Sequence, residues 1–240
     1  MKLLFEDYPC PDPKVAQLRG QLVLLYRKLN AIIDKELPFE GFIDVGELPE
    51  KFFMSVHTYP PLQMSFSQEE LSQLAGYSGM SSAALVAQAS TPLERLLVAT
   101  IWKNGDIQKV SHIADGLGNG SSTTIILDKT SKGPVFKQFG RHLAAPDQHP
   151  IADQHTLRAY RMVTGNNPSD KAHLKDTSTG DEIQHYVDWV QKLAGADLSR
   201  DRLHDFDKSM FALGSATKYV LSPPNRNKGK RRQMLDPISI

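Results

Sequence analysis

Apolar residues recur at three- and four-residue steps along most of this chain, and alternating runs of the kind that line a half-buried strand are scarce. The pattern predicts an all-α protein. Val15, Leu18, Leu22, Leu25, Leu29, Ile32 and Ile33 form one stripe of a long amphipathic helix over Pro13 to Leu37, ended near Pro38. Ser67-Gln68-Glu69-Glu70 reads as a capping box that starts a short helix ending around Gly76. Thr91-Pro92-Leu93-Glu94 combines an N-cap, a proline at the first helical position and a reciprocating glutamate ahead of the apolar Leu96 to Trp102. A buried central helix is expected to start there.

After Asn104-Gly105 the pattern predicts a helix through Ile107, Val110 and Ile113, ended by the glycines of Gly116-Leu117-Gly118-Asn119-Gly120. Ser122 to Leu127 is ambiguous, because Thr123, Thr124, Ile125 and Ile126 favour a strand between helical flanks. Gly133-Pro134 opens a helix with Phe136, Phe139 and Leu143 on one face, and Pro146 closes it. Asp153 begins the next, Gln154 to about Val163. Asn166 to Asp170 marks a loop, and Asp181 to Ala194 and Ser199 to Val220 are two further helices. No internal repeat is seen.

With 240 residues, the chain can build one sizeable core but not two ordinary domains. Its hydrophobic fraction of 40% is that of a globular protein, which sets aside disorder, collagen and membrane classes as the main story. The uncharged run ending at Leu93 is broken by Gly76, Gly79 and Pro92, and Met1 to Phe5 meets Glu6 and Asp7 before an apolar signal segment can form. A lone cysteine, Cys10, cannot close an intrachain disulfide or build a thiolate metal cluster. A cytoplasmic protein with no membrane partner, no metal and no cofactor is the expectation.

Charge alters this picture only at the C-terminal end. The net charge is +1, yet from Phe211 onward six basic residues face Asp236 alone. Arg226, Lys228, Lys230, Arg231 and Arg232 lie in a basic flexible tail, residues 222–240, suited to a polyanion or else simply solvated. Two weaker patterns are set aside. Gly116 to Gly120 lacks the preceding strand of a dinucleotide turn, and His142, His149 and His155 lack the spacing of a metal-binding pair.

Gly133-Pro134-Val135-Phe136-Lys137, followed by Asp153-Gln154-His155-Thr156-Leu157-Arg158, resembles the helix-hairpin-helix superfamily of DNA glycosylases, particularly its 8-oxoguanine-glycosylase-like branch. In that family a G-x-G-x-K turn sets a catalytic lysine in the first turn of a helix, and a D-x-H-x-x-R segment begins the next. Lys137 matches the lysine and Asp153 the aspartate, 16 residues apart, with His155 and Arg158 in the positions after it. Asp207 to Gly214 is similar to a helix near the end of bacterial members of the branch. Val135 stands where the family has its second hairpin glycine, and Thr130-Ser131-Lys132 replaces its Leu-Pro-Gly approach.

The resemblance implies a bilobed helical fold over residues 1–221, with a cleft between a central lobe at about 60–165 and a lobe built from both chain ends. It implies a monomeric DNA glycosylase, with or without AP lyase activity, acting on double-stranded DNA that carries a damaged or modified base. Repair of 8-oxoguanine and defence against modified phage DNA are both open, and the alternative is a non-catalytic DNA-binding module. Lys137 and Asp153 are the expected catalytic pair. Lys132, Gly133, Arg141, His155, Arg158 and the tail cations are expected DNA contacts.

Local chemistry agrees. With Pro134 first in its helix, Lys137 sits at the positive end of the helix dipole near Lys129 and Lys132, which disfavours the ammonium and favours a nucleophilic amine. The nine residues from Ala144 to Asp153 span roughly 30 Å when extended, whereas Lys137 to Ala144 rises only about 10 Å. The loop is long enough to return Asp153 to the lysine's end.

Overall fold

The computed structural model describes residues 12–35, 44–54, 65–118, 132–165, 178–195 and 199–222. Its helices are α1 (Pro13–Ile33), α2 (Gln68–Ala75), α3 (Ser82–Gln88), α4 (Pro92–Lys103), α5 (Ile107–Gly118), α6 (Pro134–Ala144), α7 (Gln154–Thr164), α8 (Gly180–Ala194) and α9 (Arg200–Leu221). A 3-10 turn, Glu50–Phe52, lies between α1 and α2. Every regular element among the described residues is helical, as the apolar periodicity predicts. No helix among them is long and apolar enough to cross a membrane. Ser122 to Leu127, the loop from Asn166 and the basic tail beyond Ser222 lie outside the described residues.

The main core joins α1, α7, α8 and α9 with Val45, Leu48 and Phe52. Leu22, Leu29, Leu157, Ile183, Val190, Leu203, Met210 and Leu213 are wholly removed from solvent there. Tyr26 on α1 and Thr217 on α9 share a buried hydrogen bond of 2.8 Å between their hydroxyls, so the two longest helices are held by polar complementarity as well as by area. Gly214 lets α9 lie against the start of α7, because a Cβ there would overlap the carbonyl of His155.

α5 and α6 form a second close pair, which α2 covers from the α5 side. α5 ends within the glycine segment, as the sequence reading has it, but Gly116 itself is not the stop. The helix continues to Gly118, and Gly116 is buried against α6. A Cβ on Gly116 would overlap the carbonyl oxygen of Lys137, and one on Gly140 would overlap that of Ile113. Two backbones thus meet where side chains would hold them apart. Gly140→Ala is expected to destabilise the fold by about 1–3 kcal/mol, the usual cost of forcing extra atoms into a packed contact. Urea unfolding followed by circular dichroism would measure it, and an unchanged midpoint would show that α5 and α6 do not approach this closely.

α4 corrects one expectation. It starts where the cap places it: Thr91 Oγ1 accepts from Glu94 N at 3.2 Å, and Glu94 Oε2 accepts from Thr91 N at 2.8 Å and Ser90 N at 2.9 Å. These donors hold the Glu94 carboxyl down to about 2. Yet no residue of α4 is buried, and Leu93 and Trp102 are 64% and 67% exposed. A cap fixes where a helix begins by local hydrogen bonding; it carries no information about what covers the helix.

Candidate active site

Lys137 is placed by the way α6 begins. Gly133 adopts the left-handed conformation with φ 60° and packs against the His112 ring, so a side chain at this position would meet both strain and overlap. Pro134 follows as the first helical residue, and the Gly133 carbonyl accepts from Phe136 N at 3.0 Å and Lys137 N at 3.1 Å. Lys137 is therefore in the first turn, as expected. Its ammonium lies 2.6 Å from Asp115 Oδ2 on α5. This carboxylate opposes the dipole and the neighbouring cations invoked from sequence, of which Lys132 is exposed and Lys129 lies outside the described residues.

Asp153 is the N-cap of α7. Its Oδ1 accepts from His155 N and Thr156 N, both at 2.7 Å, and Thr156 Oγ1 accepts from Asp153 N at 2.8 Å. One carboxylate oxygen thus carries the whole cap. Oδ2 makes no hydrogen bond among the described residues, and Asp153 forms no ion pair or hydrogen bond with Lys137 there.

The loop before Asp153 is fastened residue by residue. Gln191 Nε2 on α8 donates to the Gln148 carbonyl at 3.0 Å, and His142 Nδ1 lies 2.8 Å from the His149 carbonyl. Gln138 Nε2 on α6 donates to the Pro150 carbonyl at 2.8 Å, and Ile151 N donates to Asp207 Oδ2 on α9 at 2.9 Å. Four side chains from three helices hold four successive backbone groups, so the loop is positioned although it has no regular structure. Gln138 matters most for the site, since it adjoins Lys137 and reaches a residue three before Asp153.

Behind this loop lies a buried acid. Asp207 is pushed well above the usual carboxylate range by burial, with Asp153 adding to the push, while Ile151 N and the Tyr186 hydroxyl oppose it. Burial likewise pushes the Tyr186 phenol up, with Asp207 and Asp153 contributing. Asp153, Tyr186 and Asp207 are close enough to act on one another electrostatically, which ties the α7 cap to the core.

The expected DNA-contacting arginines face inward. Arg158 is completely buried, 3.1 Å from His155 Nδ1 and donating to the Gly214 carbonyl at 3.3 Å. His155 packs on Phe211 with ring centroids 4.7 Å apart, and burial pushes its imidazole below the ordinary histidine range. Arg141 is also buried; it donates to Gln184 Oε1 at 3.3 Å, and Gln184 in turn donates to Asp188 Oδ1 at 2.8 Å. As placed, both guanidiniums join helices and neither is presented to a phosphate. Arg226, Lys228, Lys230, Arg231 and Arg232 lie outside the described residues.

Asp115 and Gln138 shape this site without a motif of their own, and the sequence reading gives Asp207, which opens the segment similar to a family helix, no role at the site. The signal available for Asp115 is its neighbour Gly116, a small residue at the point where α5 can approach another helix. Among the described residues no three His, Cys, Asp or Glu side chains converge as a metal site would require. No family model, curated protein or solved structure matches this chain.

Proposed function

We propose that this protein is a DNA glycosylase with AP lyase activity, acting on a damaged or modified base flipped out of duplex DNA. The observation that carries the reading is that a first-turn lysine and a capping aspartate belong to consecutive helices joined by one fastened loop. The bond from Gln138 to Pro150 ties α6 to the loop that ends in Asp153, whose Oδ2 is left over from the cap. The glycosidic carbon cannot be reached inside the base stack, so such chemistry needs the nucleotide extruded. The group of α2 to α6 and the group of α1, α7, α8 and α9 would supply the two lobes of a bilobed helix-hairpin-helix fold, with the nucleotide in the cleft between them.

In this mechanism Lys137 Nζ first gives its ammonium proton to water, and the amine so formed bonds to the sugar C1′ as the glycosidic bond breaks, the bonding electrons leaving with the base. The base takes up the proton that Nζ then loses. Opening of the sugar then breaks the bond from C1′ to the ring oxygen, which is protonated by water, leaving a protonated imine on Nζ. Asp153 supplies negative charge opposite the cationic character that develops at the sugar. The enzyme is read as monomeric and cytoplasmic. The direct test is incubation with a panel of lesion-bearing duplexes and modified phage DNAs, scoring abasic sites.

A second reading, a DNA-binding module without catalysis, draws on one observation: Lys137 Nζ is paired with Asp115. Salt-dependent binding across the panel with no base release would select it.

Deleting Ser222 to Ile240 is expected to weaken binding to plain and lesion-bearing duplexes alike. Each lost phosphate contact among the five cations from Arg226 to Arg232 reduces the logarithmic salt slope by about 0.9. Preference for the modified base is expected to survive, because backbone contacts carry no sequence information. Affinities of the full and truncated chains between low and moderate salt would decide. An unchanged slope would mean the tail is a free solvated end.

A further inference from the structure

We infer that Asp115 is a positioning residue for Lys137, an inference that rests on the glycosylase reading above. Three observations converge on it. Its Oδ2 lies 2.6 Å from Lys137 Nζ, with both side chains about three-quarters withdrawn from solvent. Its Oδ1 accepts from the Ser78 hydroxyl at 3.3 Å, so the carboxylate is itself held from the other side. And the next residue, Gly116, packs directly on the Lys137 carbonyl, with Gly140 on the opposite backbone, which fixes α5 against this turn of α6.

A lysine side chain has four rotatable bonds, and an unrestrained amine samples many positions that do not face the reacting carbon. The ion pair removes most of that freedom before DNA arrives. Holding a nucleophile near its attack position replaces an entropy cost that would otherwise fall within the reaction step. The pair also keeps Nζ turned toward the carboxylate and away from other electrophiles. Asp115 therefore lowers the general reactivity of Lys137 while raising its reactivity toward one target.

The two effects separate in an Asp115→Ala variant, whose side chain is partly exposed and whose removal leaves the Gly116 contact in place. Lys137 in the free protein, followed by mass spectrometry after treatment with an amine-directed acylating reagent, is expected to label at least about fivefold faster than in wild type. Single-turnover borohydride trapping on an abasic duplex is expected to slow about tenfold or more with duplex affinity unchanged, and Asp115→Glu is expected to restore much of the rate. Equal labelling in wild type and variant would overturn the inference, because the pair then does not restrain the amine. Faster labelling with undiminished trapping would also overturn it. If wild type forms no adduct on any DNA while the labelling difference stands, the glycosylase reading has failed and Asp115 merely pairs with a structural lysine.

Discussion

Lys137→Ala is expected to yield no borohydride-trapped adduct on abasic DNA, where wild type yields one. Only an amine can condense with the aldehyde of an opened sugar to give a reducible imine, and alanine offers none. The fold is expected to survive, because the Lys137 side chain contributes one partly exposed ion pair, whose worth is on the order of 1 kcal/mol or less. The backbone features that open α6, Gly133 in the left-handed region and Pro134 behind it, are untouched. Denaturing gels of borohydride-treated mixtures, with circular dichroism as the folding control, make the measurement. Equal trapping by wild type and variant would place the nucleophile on another amine, and the assignment of Lys137 would be wrong.

Much of this arrangement is legible in the sequence wherever the physics is local. The caps at Ser67, Thr91 and Asp153 each start a helix in the structure, because a side-chain oxygen satisfying backbone donors two or three residues ahead depends on nothing distant. The long amphipathic stripe from Val15 is likewise found on one buried face of α1. What was not legible depends on which helix meets which. Gly116 reads locally as a helix terminator, since glycine costs roughly 1 kcal/mol relative to alanine inside a helix. In the structure that cost is offset by the close approach of α6, which no neighbour in sequence announces. The exposure of α4 and the burial of Arg141 and Arg158 are of the same kind: residue type sets a preference, and partners set the outcome.

The candidate site divides along the same line. Lys137 and Asp153 stand out through the motifs and spacing that carry the resemblance, set at two helix starts that are local properties. Asp115, 22 positions before Lys137, and Asp207, 54 positions after Asp153, reach the site only through the packing of α5 on α6 and of α9 on α7. Gln138 is a third case. Its position beside Lys137 is evident, but its burial and its bond to Pro150 follow from the path of a loop that carries no pattern.

Asp153→Asn is expected to fold and bind DNA much as wild type does while losing base excision by at least about a hundredfold. The structure makes this substitution unusually selective. The α7 cap uses Oδ1 alone, and asparagine retains an oxygen there to accept from His155 N and Thr156 N; asparagine and aspartate cap helices about equally well. What changes is Oδ2, which makes no hydrogen bond among the described residues and becomes an uncharged amide nitrogen. If the carboxylate opposes positive charge developing at the sugar, its loss removes a stabilisation present mainly in the transition state. A hundredfold fall in single-turnover rate corresponds to about 2.7 kcal/mol. Folding stability is expected to hold, because the cap is kept. Stability by urea titration, affinity for the duplex and single-turnover excision together separate the cases. A stable, DNA-binding variant that excises at the wild-type rate would leave Asp153 as a helix cap and nothing more.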